Sequence, residues 1–357
     1  MRKMLHAPCP KFNLPALGGA ALALAAAILF GVSTPLVQRA GVGLGPFSTA
    51  ALLYAGAAIL GAAMRRPVEL EAALRRDDAP RLALMAIFGA GIGPTALAWG
   101  LQHTSGTSAS LMLALEAVFT ALLARVLYRE TMDRRVWTAM LLIFAGGVAL
   151  VLDRGLQAGA QLAGIVAVLG ATAAWGVDNT LSRALAERDP AQVVLGKSVI
   201  GALLTGALAW CFDEPHPRWQ AALALLAIGA SGYGLSLRLY LLAQRAFGAA
   251  RTGSVFAFAP FIGAVLALVL GERTPSAGMA LGGALMLAGV ILHLVEKHAH
   301  EHEHQTLDHE HAHVHDDGHH NHTHDPMPAG PHSHRHRHEA LRHSHAHVPD
   351  AHHTHEH

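Results

Sequence analysis

Ten apolar stretches, each long enough to cross a bilayer, constrain the fold of this chain more than any other feature. A transmembrane helix needs about 20 mostly apolar residues. The stretches cover residues 16–37, 46–64, 81–102, 107–128, 136–152, 162–182, 191–212, 219–243, 249–270 and 276–295. Only 14% of the residues are charged, too few to cover a water-soluble core. The sequence therefore predicts an all-α membrane protein with ten transmembrane helices.

Lysine and arginine are distributed unevenly between the loops. With the N-terminus in the cytoplasm, sixteen of these residues fall on the cytoplasmic side and four on the other side. Positively charged loops remain in the cytoplasm. We therefore expect a multi-pass protein of the cell's inner (plasma) membrane, with residues 1–15 as a cytoplasmic N-terminus and with both termini cytoplasmic.

An internal repeat divides the predicted spans into two sets of five. At an offset of 142 residues, Gln102 aligns with Gln244 and Glu130 with Glu272. Farther upstream the offset is 145 residues, which aligns 30–36 with 175–181. Because five is odd, the second half would enter the membrane inverted, an arrangement found in many secondary transporters. We expect repeats over 16–152 and 162–296 and a separate tail over 298–357.

Several segments resemble the EamA-type transporters of the drug/metabolite transporter superfamily. They are residues 30–35, 117–124 with the following Arg129-Glu130, 259–261 and 271–274. The resemblance covers about residues 16–296, and the tail lies outside it. It implies ten helices in two inverted repeats, cytoplasmic ends and the transport of small metabolites, without enzymatic activity.

Four ionisable side chains lie deep inside predicted spans: Glu116, Asp178, Lys197 and Arg238. Such residues are costly in a membrane and usually face protein or water. Glu116 lies halfway along the fourth span, where loss of water disfavours the charged form of a carboxylate. It is expected to bind a proton or a cationic substrate, unless it only forms a hydrogen bond between helices.

The other three lie roughly 6–9 Å deep, because each is four to six residues from the cytoplasmic end of its span. Asp178 is expected to pair with Lys197 or with Arg238, which would reduce the cost of burying each charge. The alternative is that the two basic side chains extend to the membrane surface.

Smaller groups are expected to complete a transport pathway. The repeat aligns Ser33 and Thr34 of the first span with Asp178 and Asn179 of the sixth. Trp175 is a further candidate for the lining, although aromatic side chains in spans also serve as packing or interface anchors.

The tail contains 23 of the 27 histidines, alternating with acidic and small residues. This composition cannot bury a core and predicts disorder. Neutral imidazole binds Zn, Ni, Co and Cu, so we expect exchangeable metal binding. The candidate ligands are His300, His302, His304, His309, His311, His313, His315, His319, His320, His322, His324, His334, His336, His338, His343, His345 and His347. A pH response of the histidines and a passive tail remain alternatives.

Three functions remain open on these grounds. The first is a secondary transporter, an exporter by expectation, of a small metabolite. The second is a divalent-metal exporter whose tail collects Ni, Co or Zn, and the third is a membrane metal or pH sensor that does not transport. We expect a lipid bilayer, a small molecule and metal ions as partners, no nucleic acid and no required cofactor. A homodimer is compatible with the sequence.

Overall fold

The chain is mainly helical in the computed structural model, which describes residues 14–65, 72–128, 132, 134–153, 159–185, 188–247, 249–271, 276–294, 299–303, 307–313, 332–338 and 342–346. Nine helices among these residues are long and apolar enough to cross a membrane, and the shorter apolar helix Ala277–Leu292 adds a tenth. The predicted ten-span architecture is therefore confirmed. Glu130 and Glu272, which the repeat alignment uses, lie outside the described residues.

The spans are labelled α1 to α10 in chain order, and four of them consist of more than one segment. They are α1 (Leu14–Ala40), α2 (Pro46–Ala63), α3 (Ala79–Met85, Ala86–Ile92 and Gly93–His103), α4 (Gly106–Met112 and Leu115–Tyr128), α5 (Arg134–Asp153), α6 (Gly159–Ser182), α7 (Pro190–Cys211), α8 (Trp219–Ile228, Gly229–Leu235 and Ser236–Phe247), α9 (Ala249–Phe256 and Ala259–Val269) and α10 (Ala277–Leu294). The 3₁₀ turns Arg76–Asp78 and Arg183–Leu185 precede α3 and follow α6.

Large apolar side chains cover much of the outer surface of the bundle. Leu141, Phe144, Leu203, Val265 and Val269 are each more than half exposed. A contiguous apolar exterior of this kind would be unstable in water. It is the surface expected of a protein whose solvent is the hydrocarbon of a bilayer.

The packing of the spans reproduces the internal repeat. Spans α2 and α7 pack against each other, and so do α5 and α10. Span α1 packs against α8, and its repeat equivalent α6 packs against α3. In the same way, α1 packs against α9 and α6 packs against α4. The main contacts between the halves are thus matched by symmetry equivalents, which is the pattern that a pseudo-twofold axis produces.

Irregular backbone occurs at equivalent places in the two halves. The middle segments of α3 and α8, Ala86–Ile92 and Gly229–Leu235, are π-helical, a rare conformation that often marks functional sites. Span α9 is broken at residues 257–258, before Pro260, which lacks the backbone N–H that a continuous helix would use. Span α4 is broken at 113–114 although no proline follows, and nothing in its local sequence explains this break.

The tail contains four short strands, where the composition predicts disorder. They are β1 (Ala299–Glu303), β2 (Leu307–His313), β3 (His332–His338) and β4 (Arg342–Ala346). β1 pairs with β4 and β2 with β3, both antiparallel. Alternation of one residue type with a period of two suits a strand, which gives a physical reason for the pairing over these residues.

Candidate functional site

A cavity lies between the two halves, at the level of the π-helical segments. It contains about 470 Å³ of empty space, counting the part that opens out of the protein. Its lining comes from both repeats: Phe30, Tyr54, Glu116, Trp175, Asp178, Asn179, Lys197, Gly232, Tyr233, Ser236, Leu237, Tyr240 and Phe256.

A buried ion pair between α6 and α7 forms one part of the lining. The Lys197 ammonium donates a hydrogen bond to Oδ2 of Asp178. The two residues are only 3% and 5% exposed, so neither charge is balanced by water. The second carboxylate oxygen, Oδ1 of Asp178, is buried without a hydrogen-bond partner among the described residues. Such an oxygen is costly to leave unpaired and is available to a ligand.

The second carboxylate of the cavity belongs to Glu116. The side-chain amide of Asn179 donates a hydrogen bond to Oε1 of Glu116 at 2.5 Å, which links α6 to α4. Glu116 is the second residue of the segment Leu115–Tyr128, where the positive end of the helix dipole favours an anion. The break in α4 therefore places a helix N-terminus beside this carboxylate in the middle of the bundle.

Aromatic rings form a continuous wall on the other side of the cavity. The Phe30 ring lies 5.7 Å from that of Trp175, 5.8 Å from that of Tyr233 and 5.4 Å from that of Phe256, measured between centroids. The Tyr240 ring lies 5.0 Å from that of Phe256. These are the distances of edge-to-face and tilted aromatic pairs, so each ring restricts the orientation of the next.

The π-helical segment of α3 organises the floor of the cavity. The carbonyl oxygen of Gly89 accepts hydrogen bonds from the Tyr54 hydroxyl at 2.5 Å and from the Trp175 indole N–H at 3.0 Å. A Cβ at Gly89 would lie 2.3 Å from Cγ of Asp178. Only glycine therefore allows the carboxylate of Asp178 to lie so close to α3.

Five of the eight predicted pathway residues come together in this cavity: Glu116, Asp178, Lys197, Asn179 and Trp175. Of the two predicted partners of Asp178, Lys197 forms the ion pair. Arg238 is not part of the lining, and its Nε is buried without a hydrogen-bond partner in the described part of the chain.

Ser33 and Thr34, the other predicted pathway residues, are also outside the lining. The Ser33 hydroxyl donates to the carbonyl oxygen of Phe30 at 2.6 Å. A serine that bonds back to its own helix in this way does not present its hydroxyl to a pathway. Thr34 is 1% exposed within the bundle.

Sequence reasoning missed most of the aromatic residues that line the cavity. Phe30, Tyr54, Tyr233 and Phe256 all line the cavity. The sequence around an aromatic residue in a span looks similar whether its ring faces lipid, protein or a pathway, so the sequence does not single these residues out. The glycines of the two π-helical segments were the available signal, since Gly89 and Gly232 occupy equivalent positions in α3 and α8.

Two sets of polar contacts join the halves beyond the cavity. In the first clasp (Ala72, Leu74, Asp78, Arg188 and Gln192), Nε of Arg188 donates to Oδ2 of Asp78 at 2.9 Å, and the Leu74 N–H donates to Oε1 of Gln192 at 3.0 Å. Ala72 and Arg188 also form a parallel β-bridge.

In the second clasp (Phe47, Ser48 and Glu214), the Glu214 carboxylate accepts hydrogen bonds from two backbone amides of α2. The distances are 3.0 Å from Phe47 and 2.7 Å from Ser48. A carboxylate is well placed at a helix N-terminus because it satisfies free N–H groups and interacts with the dipole.

Within the side chains that the structure describes, no group of three or more His, Cys, Asp or Glu could hold a metal ion. Of the predicted metal ligands in the tail, ten lie in strands whose backbone alone is described: His300, His302, His309, His311, His313, His334, His336, His338, His343 and His345. His304, His315, His319, His320, His322, His324 and His347 lie outside the described residues.

Comparison with known proteins identifies relatives of similar sequence. Over 236 residues the chain is 28% identical to an uncharacterized transporter of Methanothermobacter thermautotrophicus, covering 64% of this chain and 68% of that protein. It is 27% identical over 261 residues to a probable terminal-alkyne amino-acid exporter of Streptantibioticus cattleyicolor, covering 71% and 84%. One solved crystal structure shares the fold, with a TM-score of 0.60 at 22% identity over 79% of this chain and 96% of that chain.

The family assignment follows from both halves of the membrane domain. The model of the EamA-like transporter family matches residues 17–152 and 162–295, which together make up most of the chain and contain every residue that lines the cavity. Members of this family are transporters and not enzymes. The chain is therefore a multi-pass membrane protein that belongs to the EamA-like transporter family, within the drug/metabolite transporter superfamily.

Proposed function

We propose that this protein is a secondary transporter that exports a small organic solute carrying an ammonium group. The observation that supports this proposal is the charge balance of the cavity. Two carboxylates, Glu116 and Asp178, face one ammonium, Lys197. A buried site with one negative charge in excess is stabilised by binding a cation.

The same charge balance suggests how transport is coupled. When no solute is bound, a proton on one carboxylate would neutralise the excess charge, because an uncompensated charge in a membrane protein is costly. Binding of the solute's ammonium would release that proton. Exchange of one proton for one ammonium across the membrane would then drive export against a gradient.

Amino acids are the solute class that we favour. One relative is named as a probable amino-acid exporter, and every amino acid carries an ammonium group. Its ammonium would bind at Glu116. Because an amino-acid zwitterion has no net charge, the one-for-one exchange with a proton applies to amino-acid derivatives whose carboxylate is masked and to other amines, which carry a net positive charge. The residues that we assign to the pathway are therefore Glu116, Asp178, Asn179 and Lys197.

The orientation is proposed from the loops. Lysine and arginine favour the loops that follow even-numbered spans, so those loops, both termini and the tail would lie in the cytoplasm of the cell's plasma membrane. Export would then take the solute from the side of the α2–α3 loop to the side of the α7–α8 loop.

Reconstitution into liposomes tests the proposal. With a proton gradient imposed, a panel of radiolabelled amino acids is screened for transport, and the best substrate is used to compare Glu116→Gln with Asp213→Asn. The second variant is a matched control, since it also turns a carboxylate into an amide but at an exposed loop residue. We expect proton-driven transport to fall to background in Glu116→Gln and to persist in the control. Undiminished transport by Glu116→Gln would remove this carboxylate from the mechanism.

A divalent-metal exporter is the second candidate, and the tail favours it. The register of the ladders sets histidine opposite histidine, as in His300 with His345 and His309 with His336. This pairing brings together many copies of a residue type that binds transition metals. We propose that the tail binds Zn, Ni, Co or Cu in an exchangeable manner.

Removal of residues 298–357 separates the two candidates. A metal exporter that depends on its tail would lose cellular tolerance to Ni, Co or Zn on truncation, with a matching rise in cell-associated metal. An organic-solute exporter would keep its transport activity in metal-free buffer. Equilibrium dialysis of the full-length and truncated proteins with each metal measures binding to the tail separately from transport.

A further inference from the structure

The cavity has two chemically different walls. All its charged and amide side chains, Glu116, Asp178, Asn179 and Lys197, come from α4, α6 and α7; we call them the polar wall. Most of the remaining lining comes from α1, α8 and α9; we call Phe30, Tyr233, Leu237, Tyr240 and Phe256 the aromatic wall. Trp175 joins the two walls, because its ring contacts that of Phe30.

This partition is not imposed by the pseudosymmetric backbone. A Cβ built on Gly89 in α3 would meet Asp178 of α6, and a Cβ built on Gly232 in α8 would meet Ser33 of α1. The two helix crossings are thus equivalent, and Ser33 occupies the place of Asp178. One crossing supplies a carboxylate to the cavity, whereas the other supplies a hydroxyl that bonds to its own helix.

From this asymmetry we infer that the cavity takes an amphipathic amine and fixes its orientation. The ammonium binds at the polar wall and the apolar group lies against the aromatic wall, which sets the size of apolar group that is accepted. The inference rests on the proposed transport of an amine. It adds a second subsite, whose residues select among amines and do not determine whether an amine binds.

Phe256 is the residue that limits the aromatic subsite most directly. It ends the first segment of α9 at the break, and its ring packs between those of Phe30 and Tyr240 at 5.4 and 5.0 Å. The Phe30 ring also contacts the rings of Trp175 and Tyr233, whereas the Phe256 ring contacts only those of Phe30 and Tyr240 among the described residues. Its removal therefore enlarges the subsite without touching the charged residues.

A nearby phenylalanine provides the matched control. Phe258 lies two residues further along α9, is partly buried and contacts Phe261 at a centroid distance of 6.5 Å. It is not part of the cavity lining. Phe258→Ala therefore removes a phenylalanine side chain at the same helix break. Any change that it shares with Phe256→Ala reports a general loss of packing.

The experiment measures the affinity of the full-length protein in lipid nanodiscs by isothermal titration calorimetry. The probes are n-butylamine, benzylamine and 1-naphthylmethylamine, with benzyl alcohol as the uncharged counterpart. For Phe256→Ala we expect the affinity ratio of the naphthyl to the benzyl amine to rise about tenfold, since pockets discriminate apolar groups by factors of this order. Phe258→Ala should leave the ratio unchanged. Glu116→Gln should weaken all three amines by a similar factor and leave their order unchanged.

The outcomes distinguish this inference from the proposed function. If the amines bind and Phe256→Ala leaves the ratio unchanged, or shifts it no more than Phe258→Ala does, the aromatic subsite is refuted and amine transport stands. If Glu116→Gln reorders the three amines, the separation into two walls is refuted. If the unmodified protein binds none of the amines, the proposed solute class is refuted and this inference falls with it.

Discussion

The two ends of the bundle are joined by equivalent backbone elements with different chemistry. In the first clasp, the α2–α3 loop contacts the N-terminal end of α7, through an ion pair of Asp78 with Arg188. In the second, the α7–α8 loop contacts the N-terminal end of α2, through Glu214 and two backbone amides. The inverted repeat places these equivalent contacts at opposite ends.

Both clasps are formed in the structure, whereas a transporter must open its two ends in turn. An ion pair between side chains and a carboxylate on a helix N-terminus differ in strength, so the two ends should open with different free energies. The comparison teaches that a symmetric backbone can still hold an asymmetric resting state.

The largest effect is expected from locking the first clasp covalently. Ala72 and Arg188 form a β-bridge, which brings their Cα atoms within the range that a disulfide requires. In a protein with Cys9 and Cys211 replaced, oxidation of Ala72→Cys/Arg188→Cys should reduce transport to background and reduction should restore it. Each single cysteine variant, treated with the same oxidant, is the control. Full transport by the crosslinked protein would show that this end does not open.

Loss of the ion pair in the first clasp should have the next largest effect. Asp78→Asn removes the charge that faces Arg188, which costs about 1.5–3 kcal/mol for a hydrogen bond between charged groups. The alkylation rate of a cysteine placed at Leu74 should rise at least tenfold, because 1.4 kcal/mol is a factor of about 10. The charge exchange Asp78→Arg/Arg188→Asp should bring the rate back. An unchanged rate in Asp78→Asn would mean that the ion pair does not hold this end.

A smaller effect is expected at the second clasp. Glu214→Gln keeps one acceptor oxygen, so one of the two backbone amides loses its partner, and the interaction of a charge with the helix dipole, about 0.3–1 kcal/mol, is lost as well. Hydrogen exchange of the amide that keeps its acceptor should therefore increase by no more than about fivefold. Asp213→Asn is the control for a lost charge in the same loop. An increase larger than that at the first clasp would reverse the order of strength inferred here.

Truncation after Lys297 should have the smallest effect on either clasp. The tail begins beyond α10, far along the chain from Asp78 and Glu214, and distant, independent sites contribute separately to stability. In metal-free buffer, cysteine alkylation at Leu74 and amide exchange at Phe47 should match those of the full-length protein. A change at one clasp alone would indicate that the tail contacts that end.

Some of the cavity was predictable because ionisable residues are costly inside a membrane. That cost singles out Glu116, Asp178 and Lys197 from their positions in the spans, and all three line the cavity. The choice between Lys197 and Arg238 as the partner of Asp178 was not predictable, since both lie at a suitable depth. It depends on the rotation of α7 and α8 about their axes, which packing decides.

The order of apolar and charged segments by itself determined the number of spans, the two five-helix halves and their inverted relation, because a backbone in lipid must form helices. Only the tertiary structure decided that the charges gather on one wall and the aromatic rings on the other. Hydropathy records how much of a helix avoids water, but it does not record which neighbour each face meets. In a bilayer almost every face of a span is apolar, so the periodic signal that orients a helix in a soluble protein is weak.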